Sequence, residues 1–109
     1  MTEGDPRYRL ARALHWSVTT TTGVVVAKPC RLYYARLAAT TSGAQVATAI
    51  LYDDADGSRT TLGRLALMTT TNTGPDDWPR VPVSLGFLKG IDVAISGTNV
   101  GLWLGYDWD

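Results

Sequence analysis

The strongest constraint on what this chain can fold into is the period-two alternation across residues 87–106. Ile91, Val93 and Ile95 share one face of a first run, and Val100, Leu102, Leu104 and Tyr106 share one face of a second. A strand returns a side chain to the same face every second residue, a helix only about every 3.6, so both runs read as half-buried strands. Between them lies Ser96-Gly97-Thr98-Asn99, where Gly97 and Asn99 tolerate the positive φ of a tight turn. The expected product is an antiparallel hairpin with one buried face.

Upstream, short strand patterns alternate with turn residues. The segment 16–21 is a first candidate, followed by Val24-Val25-Val26-Ala27, which Lys28-Pro29 stops. Arg31 to Ala39 makes a longer strand, ended by Thr41-Ser42-Gly43. Gln45 to Tyr52 places Val46, Ile50 and Tyr52 on one face. Its apolar residues continue onto the other, which puts it mid-sheet or against a neighbour. Arg64 to Met68 is a short strand, residues 69–79 a polar loop, and Val81, Val83, Leu85 and Phe87 alternate before the final pair of runs. Fifteen threonines favour strands and 11 glycines mark turns. The expected fold is all-β, an antiparallel β-sandwich or jelly-roll-like domain of about seven or eight strands. A chain of 109 residues supports one such core. The expected division is an N-terminal arm, residues 1–16, and a sandwich, residues 17–109; the arm either docks on a partner or folds back as an edge strand.

Ten basic residues balance ten acidic ones, which argues against a dedicated nucleic-acid binder. The balance is uneven along the chain. Residues 1–36 carry six basic side chains against Glu3 and Asp5, a net +4, and the remainder carries four against eight, a net −4. Such opposed ends would suit head-to-tail or arm-to-body contacts between copies, but solvated surface charge is the simpler and preferred account. Cys30 is the only cysteine, so no internal disulfide forms, and a core thiol is expected. No apolar run approaches the ~20 residues of a membrane span. The start, residues 1–6, lacks the basic-then-apolar pattern of a signal peptide, so assembly in a reducing cytoplasm is expected.

Chemistry-bearing motifs are scarce. Asp53-Asp54-Ala55-Asp56-Gly57 resembles part of a calcium loop. With Gly57 as the sixth position, however, Tyr52 falls at the first and Gly63 at the twelfth, where acids are required. A turn that hydrogen-bonds its own backbone is the expected reading. His15 is the only histidine and has no metal-ligand or relay cluster near it in sequence. Phosphate-cradling glycine motifs are absent. No enzyme activity, cofactor or metal is therefore expected. The aromatics carry more information. Trp103 lies on the face opposite Leu102 and Leu104, between Gly101 and Gly105, and such glycines let an indole lie flat or a partner approach closely.

The succession Cys30-Arg31-Leu32-Tyr33-Tyr34, then Ala49-Ile50-Leu51-Tyr52-Asp53-Asp54-Ala55-Asp56-Gly57, then Phe87-Leu88-Lys89-Gly90-Ile91-Asp92-Val93, then the final runs to Tyr106, resembles small virion proteins of tailed bacteriophages. The resemblance covers about residues 23–106, with Asp53 and Gly90 in place; the tail beyond Tyr106 and the basic arm before Trp16 fall outside it. It implies a β-sandwich acting as a capsid decoration, cement or head-fibre subunit, homo-oligomeric and without catalytic residues. The implied partners are the major capsid protein or other virion proteins, and the implied location is the virion. Neither nucleic acid nor membrane is expected as a partner. The expected contact residues are Tyr8, Arg9, Arg12 and Trp16 in the arm, Trp78 in the Pro-rich loop, and Trp103, Tyr106 and Trp108 at the end. Two alternatives stand beside this one: a carbohydrate- or receptor-binding module using Trp78 or Trp103 as a stacking ring, and a tail or connector component of the virion.

Overall fold

The computed structural model describes residues 14–40, 46–69, 74–79 and 83–108. These form nine strands: β1 His15–Thr19, β2 Gly23–Val26, β3 Cys30–Ala39, β4 Ala47–Asp53, β5 Gly63–Thr69, β6 Asp76–Trp78, β7 Leu85–Phe87, β8 Ile91–Ser96 and β9 Val100–Trp108. All pairings are antiparallel. One sheet, here the front sheet, runs β1-β9-β3-β6, with β7 also on β3; the other, the back sheet, runs β2-β8-β4-β5. The all-β sandwich read from the sequence is the fold observed, and no helix among the described residues is long and apolar enough to cross a membrane.

The strand order has a simple origin. The chain doubles back at the β4–β5 hairpin into a two-stranded ribbon that pairs β3 with β7, β2 with β8 and β1 with β9. Rolling that ribbon adds the pairs β3–β9 and β4–β8, which is the jelly-roll connectivity. The facing sides of the two sheets supply the core. Leu32, Ala35, Leu37, Phe87, Leu102 and Leu104 come from the front, and Ala49, Leu51, Leu67, Ile91 and Val93 from the back. Cys30 is buried among them, as expected of a core thiol.

The expected hairpin between the last two runs does not form. Ile91, Val93, Val100, Leu102, Leu104 and Tyr106 are buried as the alternation required, but β8 belongs to the back sheet and β9 to the front. Residues 96–99 bridge the layers, which stacked sheets set about 10 Å apart, with Gly97 at φ 112° and Asn99 at φ 57°. Period two identifies a buried face; it does not say which strand lies alongside. Nine-residue β9 finds a longer partner in ten-residue β3 than six-residue β8 could offer.

Other differences are local. Within the stretch read as a polar loop, Asp76–Trp78 adds a short strand on β3. The alternating run before the final pair contracts to Leu85–Phe87: Val83 is exposed outside any strand, and Val81 lies outside the described residues. β4 does sit between two neighbours, β8 and β5. Its buried face is Ala47, Ala49 and Leu51, so Val46, Ile50 and Tyr52 turn outward. His15 and Trp16, read as the end of the arm, belong to β1 at the edge of the front sheet.

A bulge in β3 sets up the outer face. The register with β9 shifts between Leu32 and Tyr34, so Leu32, Ala35 and Leu37 all turn inward. Tyr34 and Arg36 are thereby delivered to the outer side.

Candidate functional site

Two cross-strand rows cover the outer face of the front sheet. In the first, Trp16 of β1 and Tyr34 of β3 both stand opposite Gly105 of β9. In the second, Val18, Trp103, Arg36 and Asp77 line up across β1, β9, β3 and β6. Outward side chains of neighbouring strands at matched register touch one another, so each row acts as a unit.

The glycines serve as seats for rings. A Cβ built on Gly105 would stand 2.8 Å from the Trp16 ring, so that indole lies directly over the glycine. From there it meets Tyr34 edge-to-face, with centroids 5.7 Å apart. A Cβ on Gly101 would likewise meet the Trp103 ring, at 3.2 Å. Both rings thus lie down on the sheet. Trp16 nevertheless keeps 56% of its surface exposed and Val18 57%, and the two stand on the same outer face of one strand, so they form an adjoining apolar pair.

Polar groups border these rings. The Tyr34 hydroxyl donates to Asp77 Oδ1 at 3.1 Å, and Arg36 Nη1 pairs with the same carboxylate at 3.4 Å. Burial raises the Tyr34 hydroxyl above its ordinary range, Arg36 pulls it back, and Asp77 pushes it up again, so the phenol stays a neutral donor at physiological pH. Arg31 extends the border, donating from Nη1 to Ser84 Oγ at 3.0 Å.

Of the expected contact residues, Trp16 and Trp103 are on this face. Tyr8, Arg9 and Arg12 lie outside the described residues. The others turn inward. Tyr106 is buried, its hydroxyl 2.6 Å from Ser17 Oγ, so its ring is not offered to a partner. Trp108 packs on the core with His15 at 4.5 Å between centroids and Lys28 Nζ 3.8 Å over its ring. Trp78 pairs with Ala35 and packs against the core. Even-numbered positions in β9 face inward, which the alternation already implied for Tyr106 and which the strand carries on to Trp108. The polar border of Tyr34, Arg36 and Asp77 was not foreseen, because the bulge that exposes the first two leaves no plain mark in sequence.

A second polar cluster sits on the back sheet. Asp54 Oδ1 accepts the Asp56 N–H and its Oδ2 the Arg59 N–H, while Asp56 Oδ1 accepts the Ser58 N–H. This is the self-bonded turn expected of the Asp/Gly stretch. Asp53 accepts the N–H groups of Leu88 and Lys89, tying the turn to the start of β8. The loop covers Asp92 completely; Arg59 Nη1 reaches Asp92 Oδ1 at 2.9 Å, and Oδ2 has no partner. The Arg59 N–H leads the hydrogen bonds that hold Asp54 well below the usual carboxylate range, whereas burial pushes Asp92 up against the pull of Arg59. Two carboxyls driven apart are a pattern of acid–base sites. Here Asp92 is sealed from solvent, so the pair meets no substrate and serves to pin the loop.

No family model matches this chain, and comparison with curated proteins and with solved structures finds no significant match.

Proposed function

We propose that this jelly roll is a structural subunit that works by adhesion, its front-sheet outer face docking on another folded chain. The setting is the one the sequence resemblance implies, a phage-type virion, with a role in capsid decoration, cementing or the head fibre. The observation that carries the adhesion reading is the exposed pair Trp16 and Val18 beside the flat-lying Trp103, with Tyr34, Arg36 and Asp77 as a polar margin. An aromatic centre with a polar rim is the composition of a protein interface. Jelly rolls serve both viral shells and lectins, so the fold alone does not choose between them.

The test is co-sedimentation with shells assembled from a tailed-phage major capsid protein, the partner that the resemblance implies. Wild-type chain is expected to pellet with shells. Trp16→Ala with Trp103→Ala is expected to weaken binding at least about 30-fold, the equivalent of one well-packed aromatic anchor of about 2 kcal/mol. Wild-type protein that stays in the supernatant would refute the proposal.

The placement of Asp77, Arg36 and the Tyr34 hydroxyl beside two indoles also favours a second reading. A pyranose could stack on a ring while its hydroxyls bond to the charged groups. A glycan array with hits lost in Trp103→Ala and in Asp77→Ala would support it; an array without hits removes it.

A further inference from the structure

We infer that two copies of this chain associate by antiparallel pairing of their β1 strands across a two-fold axis through Ser17, joining the two front sheets into one. This goes beyond the adhesion reading, which requires only the outer face of a single copy.

The argument begins with how each edge is protected. Strand edges offer unpaired N–H and C=O groups, and proteins blunt them with Pro, Lys, bulges or very short strands. β2 is bulged between Val24 and Val26 and is followed at once by Lys28 and Pro29. At the β5 edge, Asp76 Oδ2 accepts the Met68 N–H. The far side of β3 is shared by two strands of three residues each, β6 and β7. β1 has none of these devices. Its five residues contain no Pro, no Lys and no bulge, and among the described residues nothing pairs with it on the side away from β9.

Its side chains suit a copy of itself. Opposed residues in an antiparallel pair project to the same face, so a joined sheet needs registers that match outer with outer. An axis through Ser17 meets this rule and uses the whole strand. It sets Trp16 of one protomer opposite Val18 of its partner, twice, and His15 opposite Thr19, also twice. An axis through Trp16 or Val18 would leave strand residues unpaired at one end. The axis through Ser17 also covers the two exposed apolar side chains of the strand, and aromatic–β-branched pairs are favourable cross-strand neighbours. The contact is isologous, so it closes at two copies and cannot propagate.

The test is sedimentation velocity of the full chain from about 1 to 200 μM, the range in which a small interface of this type is populated. A concentration-dependent monomer–dimer equilibrium is expected. The double variants Trp16→Lys/Val18→Lys and Trp16→Glu/Val18→Glu should each be monomeric, because like charges then face each other. An equimolar mixture should re-form dimers, because Lys and Glu face each other at every outer pair. Trp16 also packs over Gly105, so Val18→Lys alone serves as the milder variant; it should weaken dimerisation at least tenfold, with a melting temperature equal to wild type at dilutions where both are monomeric. A wild-type chain that stays monomeric, as it would if residues before Leu14 filled this edge, overturns the inference. So does a double-lysine variant that still dimerises, or a mixture that fails to. Wild-type chain that stays monomeric yet pellets with shells would leave the adhesion proposal standing, and wild-type chain that dimerises yet stays in the supernatant would leave this one standing, so the two can fail independently.

Discussion

Arg59→Met isolates the contribution of the back-sheet pin. Arg59 adopts φ 49°, an unfavourable region for any residue with a Cβ, and is held there by its N–H on Asp54 and its guanidinium on Asp92. Methionine keeps most of the stem, the N–H and the same backbone strain, so the substitution removes the guanidinium, with its charge and its hydrogen bond to Asp92. Asp92 then remains fully buried with neither oxygen paired. Removing one partner of a buried ion pair costs about 3–5 kcal/mol, and the lower end applies because Arg59 keeps 31% of its side chain in solvent. Protonation sets a ceiling. From an unfolded-state value of 3.8, neutralising one carboxyl costs about 4 kcal/mol at pH 7 and about 1.5 kcal/mol at pH 5.

The sign of the pH dependence follows. Burial already raises Asp92 in the folded chain. A carboxyl raised on folding contributes stability that is present below its unfolded value and is lost as pH rises through its folded value. Without Arg59 that window extends upward. The expected penalty is therefore about 3 kcal/mol at pH 7, a melting point lower by about 10–15 °C, and no more than about 1.5 kcal/mol at pH 5. Urea denaturation of both proteins from pH 5 to pH 8 measures it. Adding Asp92→Asn to Arg59→Met should recover most of the loss at pH 7 and flatten the pH profile. A penalty below about 0.5 kcal/mol at pH 7, or one equal at both pH values, would refute the assignment of Asp92 as a buried charge held by Arg59.

Three further outcomes are expected. Asp53→Asn should lower stability by about 1–2 kcal/mol at pH 7. Burial alone would raise the Asp53 carboxyl, but the N–H groups of Lys89, Leu88 and Gly90 outweigh it and hold the group below its ordinary value. The difference between Asn and Asp should accordingly shrink as pH falls through the carboxylate range, read as melting temperatures at pH 7 and pH 3. Gly105→Ala should displace the Trp16 ring, changing the near-ultraviolet circular dichroism and costing about 1–2 kcal/mol. Tyr106→Phe should cost about 1 kcal/mol through loss of the Ser17 bond, with shell binding unchanged because the ring is internal.

Much of this fold is legible from local pattern, and the limits of that legibility are physical. Alternation in residues 91–106 identifies the buried face of each run because burial acts on single side chains. It is silent about partners, because any strand of suitable length satisfies the same backbone groups; hence an expected hairpin proves to be a link between layers. Asp92 alternates with Ile91 and Val93 and so reads as solvent-facing. Its burial depends on a loop whose key residue, Arg59, lies 33 positions away. A single extra residue in β3 reverses the alternation, so a reading of strict period two places Leu32 with Tyr34 and Arg36, although Leu32 is buried and the other two border the outer face.

The outer face shows how a functional surface can leave half of its signature in sequence. On an outward-facing row, a glycine surrenders strand propensity and side-chain contact. Two of them, Gly101 and Gly105, flanking Trp103 therefore imply that something large occupies the space above. For Gly101 the occupant is Trp103 itself, two residues away, and the reading closes within one strand. For Gly105 the occupant is Trp16, at the other end of the chain, brought there by the β1–β9 pairing. The gap is local information and its filler is topological. With Trp16 seated, Tyr34 is reached across β9, and Asp77 joins through β6. The surface thus assembles from four strands only when the ribbon has rolled, so a substitution that disturbs β1 pairing should dismantle the aromatic face while leaving the core intact.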